Sequence, residues 1–176
     1  MPDMQQNHFE LLGLPRGYAI DLAMLDQNFR KLQSEVHPDR FAAATPAERL
    51  HSMQLATQVN EAYQTLKSPI ARARYLLYLN GVDTQEDTNT AMPAAFLMQQ
   101  MEWREAIEEA SAAGDIDALD QLLRDLRHAG TQLENTLHAA LDEQPDHALA
   151  AESVRKLRFL DKVRDEIEQA IELLET

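Results

Sequence analysis

The feature that most constrains this chain is a long apolar seam near its end. Leu160, Val163, Ile167, Ala170 and Leu174 recur in steps of three and four. That spacing puts one side of a helix against partners at a shallow crossing angle. A seam of this kind cannot stand alone in water, so the segments before it must supply the other faces. Breakers are few: the 176 residues hold 5 Gly and 7 Pro. Ala, Leu, Glu and Gln, all good helix formers, dominate the composition. The fold class expected is all-α. Gly114 and Pro145 cut the second half into three long helices, over about 93–113, 115–143 and 146–175. Connections this short force antiparallel neighbours, which gives an up-down-up three-helix bundle. The same seams would also suit an oligomeric coiled coil, but Gly114 and Pro145 favour folding back.

The first half is punctuated differently. "HFELLGLP" reads as a short helix closed by Gly13 and Pro15. Asp21 can cap the next helix, whose inner positions are Leu25, Phe29, Leu32 and Val36. Pro38 forces His37 into extended geometry and ends that helix. "TPAE" at 45–48 is a helix start with Thr45 as N-cap, Pro46 in the first turn and Glu48 closing a capping box. Leu55, Val59, Ala62 and Leu66 line the inside of the new helix. Residues 22–67 therefore form a helical hairpin with "HPDRFAAA" at its tip. Ser68-Pro69 opens a further helix stopped by Gly81. "VDTQEDTNTA" has no apolar period and reads as a linker or an ordered loop. The domain reading is 1–80, a connecting segment 81–92, and a bundle over 93–176.

Charge separates the same two halves. Residues 1–78 carry 8 acids and 8 bases, which leaves 22 acids and 8 bases for 79–176 and places the whole balance of −14 there. Such asymmetry suggests two units with different tasks. The acidic half would repel phosphate backbones, so no nucleic-acid partner is expected. Cys is absent, which removes disulfides and thiolate metal ligands. The start lacks a basic and apolar leader, and "YLLYL" is far too short for a bilayer span. A soluble, cytoplasmic protein with no membrane partner is expected.

"HPD" at 37–39 admits four readings. These are a plain helix stop, a catalytic His–Asp pair, part of a metal site, and a charged loop presented to a partner. Catalysis would need a nucleophile or third group, and the loop offers only Arg40 and small residues. A metal would want more ligands; His51 is the nearest other histidine and has no evident companion. No cofactor is expected.

Context adds a resemblance. "HFELLGLP", "FRKLQSEV", "HPDR" and "VNEAYQTLKSP", in that order, resemble the J domain of DnaJ-type co-chaperones over roughly residues 7–78. The resemblance implies that His37, Pro38 and Asp39 engage a DnaK-type chaperone ATPase and stimulate it. Arg30, Lys31 and Arg40 would help to dock the preceding helix. Glu35 departs from the pattern, standing where many J domains carry a base, and makes the docking surface less positive. "SPIARARYLLYLNG", "FLMQQMEWREAIEE" and "VRKLRFLDK" extend the resemblance over nearly the whole chain, to the HscB-type J proteins of bacterial iron–sulfur cluster assembly. That family's partners are the chaperone HscA and the cluster scaffold IscU, and the cluster rides on the scaffold. A J protein for another client is the alternative, and an enzyme using His37 and Asp39 a weaker one.

"FLMQQMEWREAIEE" can also be read from its period alone. At about 100° per residue, Phe96, Trp103, Ile107 and Ala110 form one narrow core stripe. Leu97, Met98 and Met101 point away from it, as do Glu102, Glu105 and Glu109. Apolar residues beside acids make an apolar centre with a charged rim, the composition of a binding surface. Packing against the first half is the competing use of the same residues. In the HscB resemblance these positions correspond to the scaffold-binding patch, together with Phe159 on the last helix, half exposed beside the seam. Trp103 is read as core. His128, His138 and His147 are read as surface. Arg155, Lys156, Arg158, Lys162 and Arg164 are expected mostly to pair with neighbouring acids, with a role beside Phe159 as the alternative.

Overall fold

The computed structural model describes residues 5–176. The first four residues of the expected 1–80 segment lie outside the described residues. The described residues are helical, with no strand among them. The chain divides into two compact units, residues 1–79 and 80–176.

In the first unit α1 (His8–Leu11) is followed by α2 (Leu22–Val36), a 3-10 turn (Pro38–Phe41), α3 (Pro46–Lys67) and α4 (Pro69–Leu79). Local chemistry sets these boundaries. Asn7 caps α1, accepting the Glu10 amide at 2.9 Å. Gly13 then takes φ +66, a left-handed turn that a side chain would strain. Asp21 caps α2 by accepting from the Met24 amide at 3.1 Å. The expected capping box of α3 is formed: Thr45 Oγ1 accepts from the Glu48 amide and Glu48 Oε2 from the Thr45 amide. Leu25 and Val36 of α2 are buried, as are Leu55, Val59, Ala62 and Leu66 of α3. Phe29 and Leu32 are only half buried; Phe29 stacks on Tyr63 with centroids 4.0 Å apart. Arg72 is a buried cation inside this unit. Its guanidinium donates to the Leu66 carbonyl at 2.7 Å and lies 4.9 Å from the Tyr18 ring. His8 stacks on Tyr75, and burial holds its imidazole below the usual histidine range.

The second unit is built on α5 (Ala94–Ala113), α6 (Ile116–His138) and α7 (His147–Glu175). Gly114 ends α5 at φ +65 with its amide bonded back to the helix. The expected single helix over 115–143 keeps α-helical pitch only to His138. Residues Ala139–Glu143 form a wider π turn that buries Ala140 and brings the Asp146 amide to the Ala140 carbonyl. His138 is correspondingly half buried rather than a free surface residue, with Asp142 and Glu143 at 3.2 and 3.4 Å. The seam on α7 buries Leu160, Val163 and Ile167 and leaves Ala170 and Leu174 half exposed toward the helix end.

Residues 81–92 fall in the second unit and form an ordered loop tied to α7. Arg155 donates to the Thr84 carbonyl at 3.0 Å, Arg158 pairs with Asp87 at 2.8 Å, and Thr84 is buried. This corrects the reading of the basic cluster. Arg164 pairs with its helical neighbours Asp161 and Asp165. Arg155 and Arg158 instead reach a loop some seventy residues earlier, and Lys156 lies over the Phe96 ring at 5.4 Å.

Candidate functional sites

The tip of the α2–α3 hairpin is held from both stems. His37 is extended, with φ −60 and ψ 133, as the following proline requires. Helix α2 therefore stops with carbonyls that no further turn can satisfy. One of them is met from across the hairpin: the Ser52 hydroxyl, 1% exposed, donates to the Val36 carbonyl at 2.8 Å. Val36 itself is buried, and the capping box fixes the start of α3. A short rigid turn results, closed by the Arg40 amide on the His37 carbonyl at 3.0 Å.

Both ionisable ends of the tripeptide face water, with side chains 53% exposed at His37 and 92% at Asp39. His37 Nδ1 accepts from the Asp39 amide at 3.2 Å and lies 3.5 Å from Asp39 Oδ2. One nitrogen cannot serve both contacts. As an acceptor Nδ1 carries no hydrogen, which leaves the ring N–H on Nε2. The ring therefore offers a donor beside the exposed Asp39 carboxylate. The structure brings His37, Pro38, Asp39 and Arg40 together in this turn, and Arg30, Lys31 and Glu35 are exposed on the α2 stem. Ser52 is the residue that sequence reasoning missed. A serine in a helix reads as surface, and its i−16 partner leaves no local signal.

The second site lies on α5. Phe96, Trp103 and Ala110 are buried at 8%, 7% and 6% exposure and Ile107 is half buried, so the expected stripe is the core side. Leu97, Met98 and Met101 are 45%, 63% and 71% exposed. Glu102, Glu105 and Glu109 are exposed around them. Phe159 of α7 is half buried and meets Phe96 edge-on, with centroids 5.8 Å apart. It thus borders α5 through Phe96, although the two residues are far apart in sequence. An adaptable, Met-rich apolar centre with an acidic rim can dock a protein that brings apolar residues flanked by bases.

Residues 7–75 match the DnaJ domain family, and residues 92–168 match the family described as the HSCB C-terminal oligomerisation domain. The co-chaperone protein HscB homolog of Azoarcus sp. (strain BH72) is 51% identical over 173 residues, 98% of each chain. That of Burkholderia multivorans (strain ATCC 17616 / 249) is 51% identical over 176 residues, 100% of each chain. Among solved structures, chaperone HscB from Vibrio cholerae has a TM-score of 0.85 at 38% identity, covering 96% of this chain and 99% of its own. Human co-chaperone protein HscB has a TM-score of 0.88 at 30% identity, covering 96% of this chain and 83% of its own. Among the described residues no helix is long and apolar enough to cross a membrane.

Proposed function

The chain belongs to the HscB family of iron–sulfur cluster assembly co-chaperones, with a J domain followed by the HscB C-terminal domain, and from that premise we propose that it is a cytoplasmic, non-enzymatic adaptor. The His37–Pro38–Asp39 turn engages the DnaK-type chaperone HscA and stimulates its ATPase, with Arg30, Lys31 and Arg40 docking the α2 stem. Leu97, Met98, Met101 and Phe159 anchor the scaffold IscU, and Glu102, Glu105 and Glu109 orient it. The observation that carries this reading is the exposed apolar side of α5 opposite its buried stripe, on a chain that also presents the charged turn. The alternative of an enzyme using His37 and Asp39 has less support, because Arg40 is the one further ionisable residue the turn adds to them. Linking the two sites raises the effective concentration of scaffold at the chaperone.

The test is a steady-state ATPase assay with purified HscA and the full chain, with and without purified IscU. The chain alone should stimulate modestly, and IscU should raise the rate further. Stimulation that is indifferent to IscU, together with no IscU binding, would make this a J protein for another client. No stimulation at all would remove the chaperone assignment.

A further inference from the structure

Phe159 is the one proposed client anchor carried by α7, and its ring is held rather than free. The edge-on contact with Phe96 has an interplanar angle of 79°. The Arg104 guanidinium carbon sits 5.9 Å from the Phe159 ring centroid. Phe96 is in turn placed by Trp103, edge-on at 6.2 Å, and by the Lys156 ammonium at 5.4 Å. The four side chains and the Phe159 ring form one cluster joining α5 to α7.

Arg104 is the single base of α5, among Glu102, Glu105, Glu108 and Glu109. It stands three residues after Met101 and seven after Leu97, so the three share one side of the helix, at about 80°, 140° and 100° from Phe96. Arg104 thus shares the helix side of the α5 anchors Leu97 and Met101 while its guanidinium lies over the α7 anchor. A cation over an aromatic face is attracted by the ring quadrupole, and a planar guanidinium also stacks. A ring with restricted rotamers loses less freedom when a partner covers it.

We propose that Arg104 is a positioning residue of the client face: its guanidinium, with the Phe96 edge, sets the Phe159 ring in its binding orientation before the client arrives. The proposal rests on the reading of the α5 side as the scaffold-docking site. It gives a base within an acidic face a role that electrostatic matching to a basic partner does not.

The test is a double-mutant cycle on the full chain, titrated calorimetrically with purified IscU, using Arg104→Met, Arg104→Lys and Phe159→Leu. Arg104→Met keeps the stem and removes the cation. It should weaken binding about two- to fivefold, the worth of an exposed cation–π contact, and shift the Phe159 ring resonances in the unbound protein. Arg104→Lys should recover most of the affinity. In the Phe159→Leu background Arg104→Met should have no further effect. An equal loss in both backgrounds would mean that Arg104 touches the client directly and would overturn the proposal. So would unchanged affinity in Arg104→Met while Phe159→Leu weakens binding. If Phe159→Leu binds IscU normally, the client face itself is wrong and Arg104 has nothing to position.

Discussion

The hairpin tip and the outer side of α5 present side chains to water by opposite means. At the tip the backbone does the presenting. A proline ends α2, a buried serine takes up a freed carbonyl, and a capping box starts α3, so two polar side chains, His37 and Asp39, project from a turn with few alternatives. On α5 the backbone is ordinary helix, and the pattern of side chains does the presenting. Aromatic residues occupy the buried stripe, while flexible Leu and Met stand on the far side among acids. A rigid polar turn suits a partner that reads a fixed donor geometry. A Met-rich surface suits one that must be fitted by repacking. The two sites should therefore fail differently when altered.

The largest expected effect is at the tip. His37→Gln keeps a polar, exposed side chain and loses no core contact. It should abolish stimulation of the HscA ATPase while leaving circular dichroism and melting temperature nearly unchanged. A fully active variant would end the assignment of this turn to the chaperone. Next comes the α5 side. The combined change Leu97→Ala, Met101→Ala and Phe159→Ala removes three apolar anchors, each worth on the order of 2 kcal/mol if it lies in a desolvated centre. Scaffold affinity should fall by orders of magnitude in a titration, with basal ATPase stimulation retained. Phe159 is half buried, so a modest drop in melting temperature is expected. A loss of many degrees would assign the set to packing, and a stable variant that still binds IscU would place the client site elsewhere.

How much of this was legible in the sequence follows from the range of each interaction. The caps at Asp21 and Thr45, the stops at Gly81 and Gly114, and the core stripe Phe96–Trp103–Ala110 rest on contacts within a turn or two. Residue identity and spacing reveal them directly. The π turn at 139–143 left no such mark, because "AALDE" continues a helix as well as it widens one, and what favours widening is the burial of Ala140 and the join to Asp146. The segment 81–92 remained open between linker and ordered loop because its anchors, Arg155 and Arg158, lie far along the chain. Ser52 and the Phe96–Phe159 contact were hidden for the same reason. In both candidate sites the presented side chains were readable and the residues that hold them were not.

Ser52 offers a change that should separate the two sites by stability rather than by contact. Ser52→Ala leaves the Val36 carbonyl buried without its donor, at a cost of about 1–3 kcal/mol. For a domain of this size that lowers the melting temperature by roughly 4–8 °C per kcal/mol. The loss should fall on the first unit, seen as faster amide exchange at the α2 C-terminus, with reduced ATPase stimulation near the new melting point. Scaffold affinity, which the proposal assigns to the other unit, should not move. A variant as stable as the parent would show that the turn is held by its own caps alone, and would weaken the contrast between a backbone-set tip and a side-chain-set helix face.

The smallest expected effect concerns the acidic rim of α5. Glu105 is exposed and stands one turn after Met101 on α5. An exposed charge at an interface rim acts mainly on the association rate, and salt screens it, with a Debye length of about 8 Å at physiological ionic strength. Glu105→Ala should therefore slow IscU association a few-fold at low salt and leave dissociation almost unchanged, as read by stopped-flow mixing. The difference from the parent should shrink as salt rises toward molar levels. The triple apolar variant should show the reverse: faster dissociation and a defect that salt does not remove. If Glu105→Ala instead accelerates dissociation at every salt concentration, Glu105 makes a desolvated contact of its own. The apolar centre on α5 would then extend across its acidic side, and the division between anchors and rim would have to be redrawn.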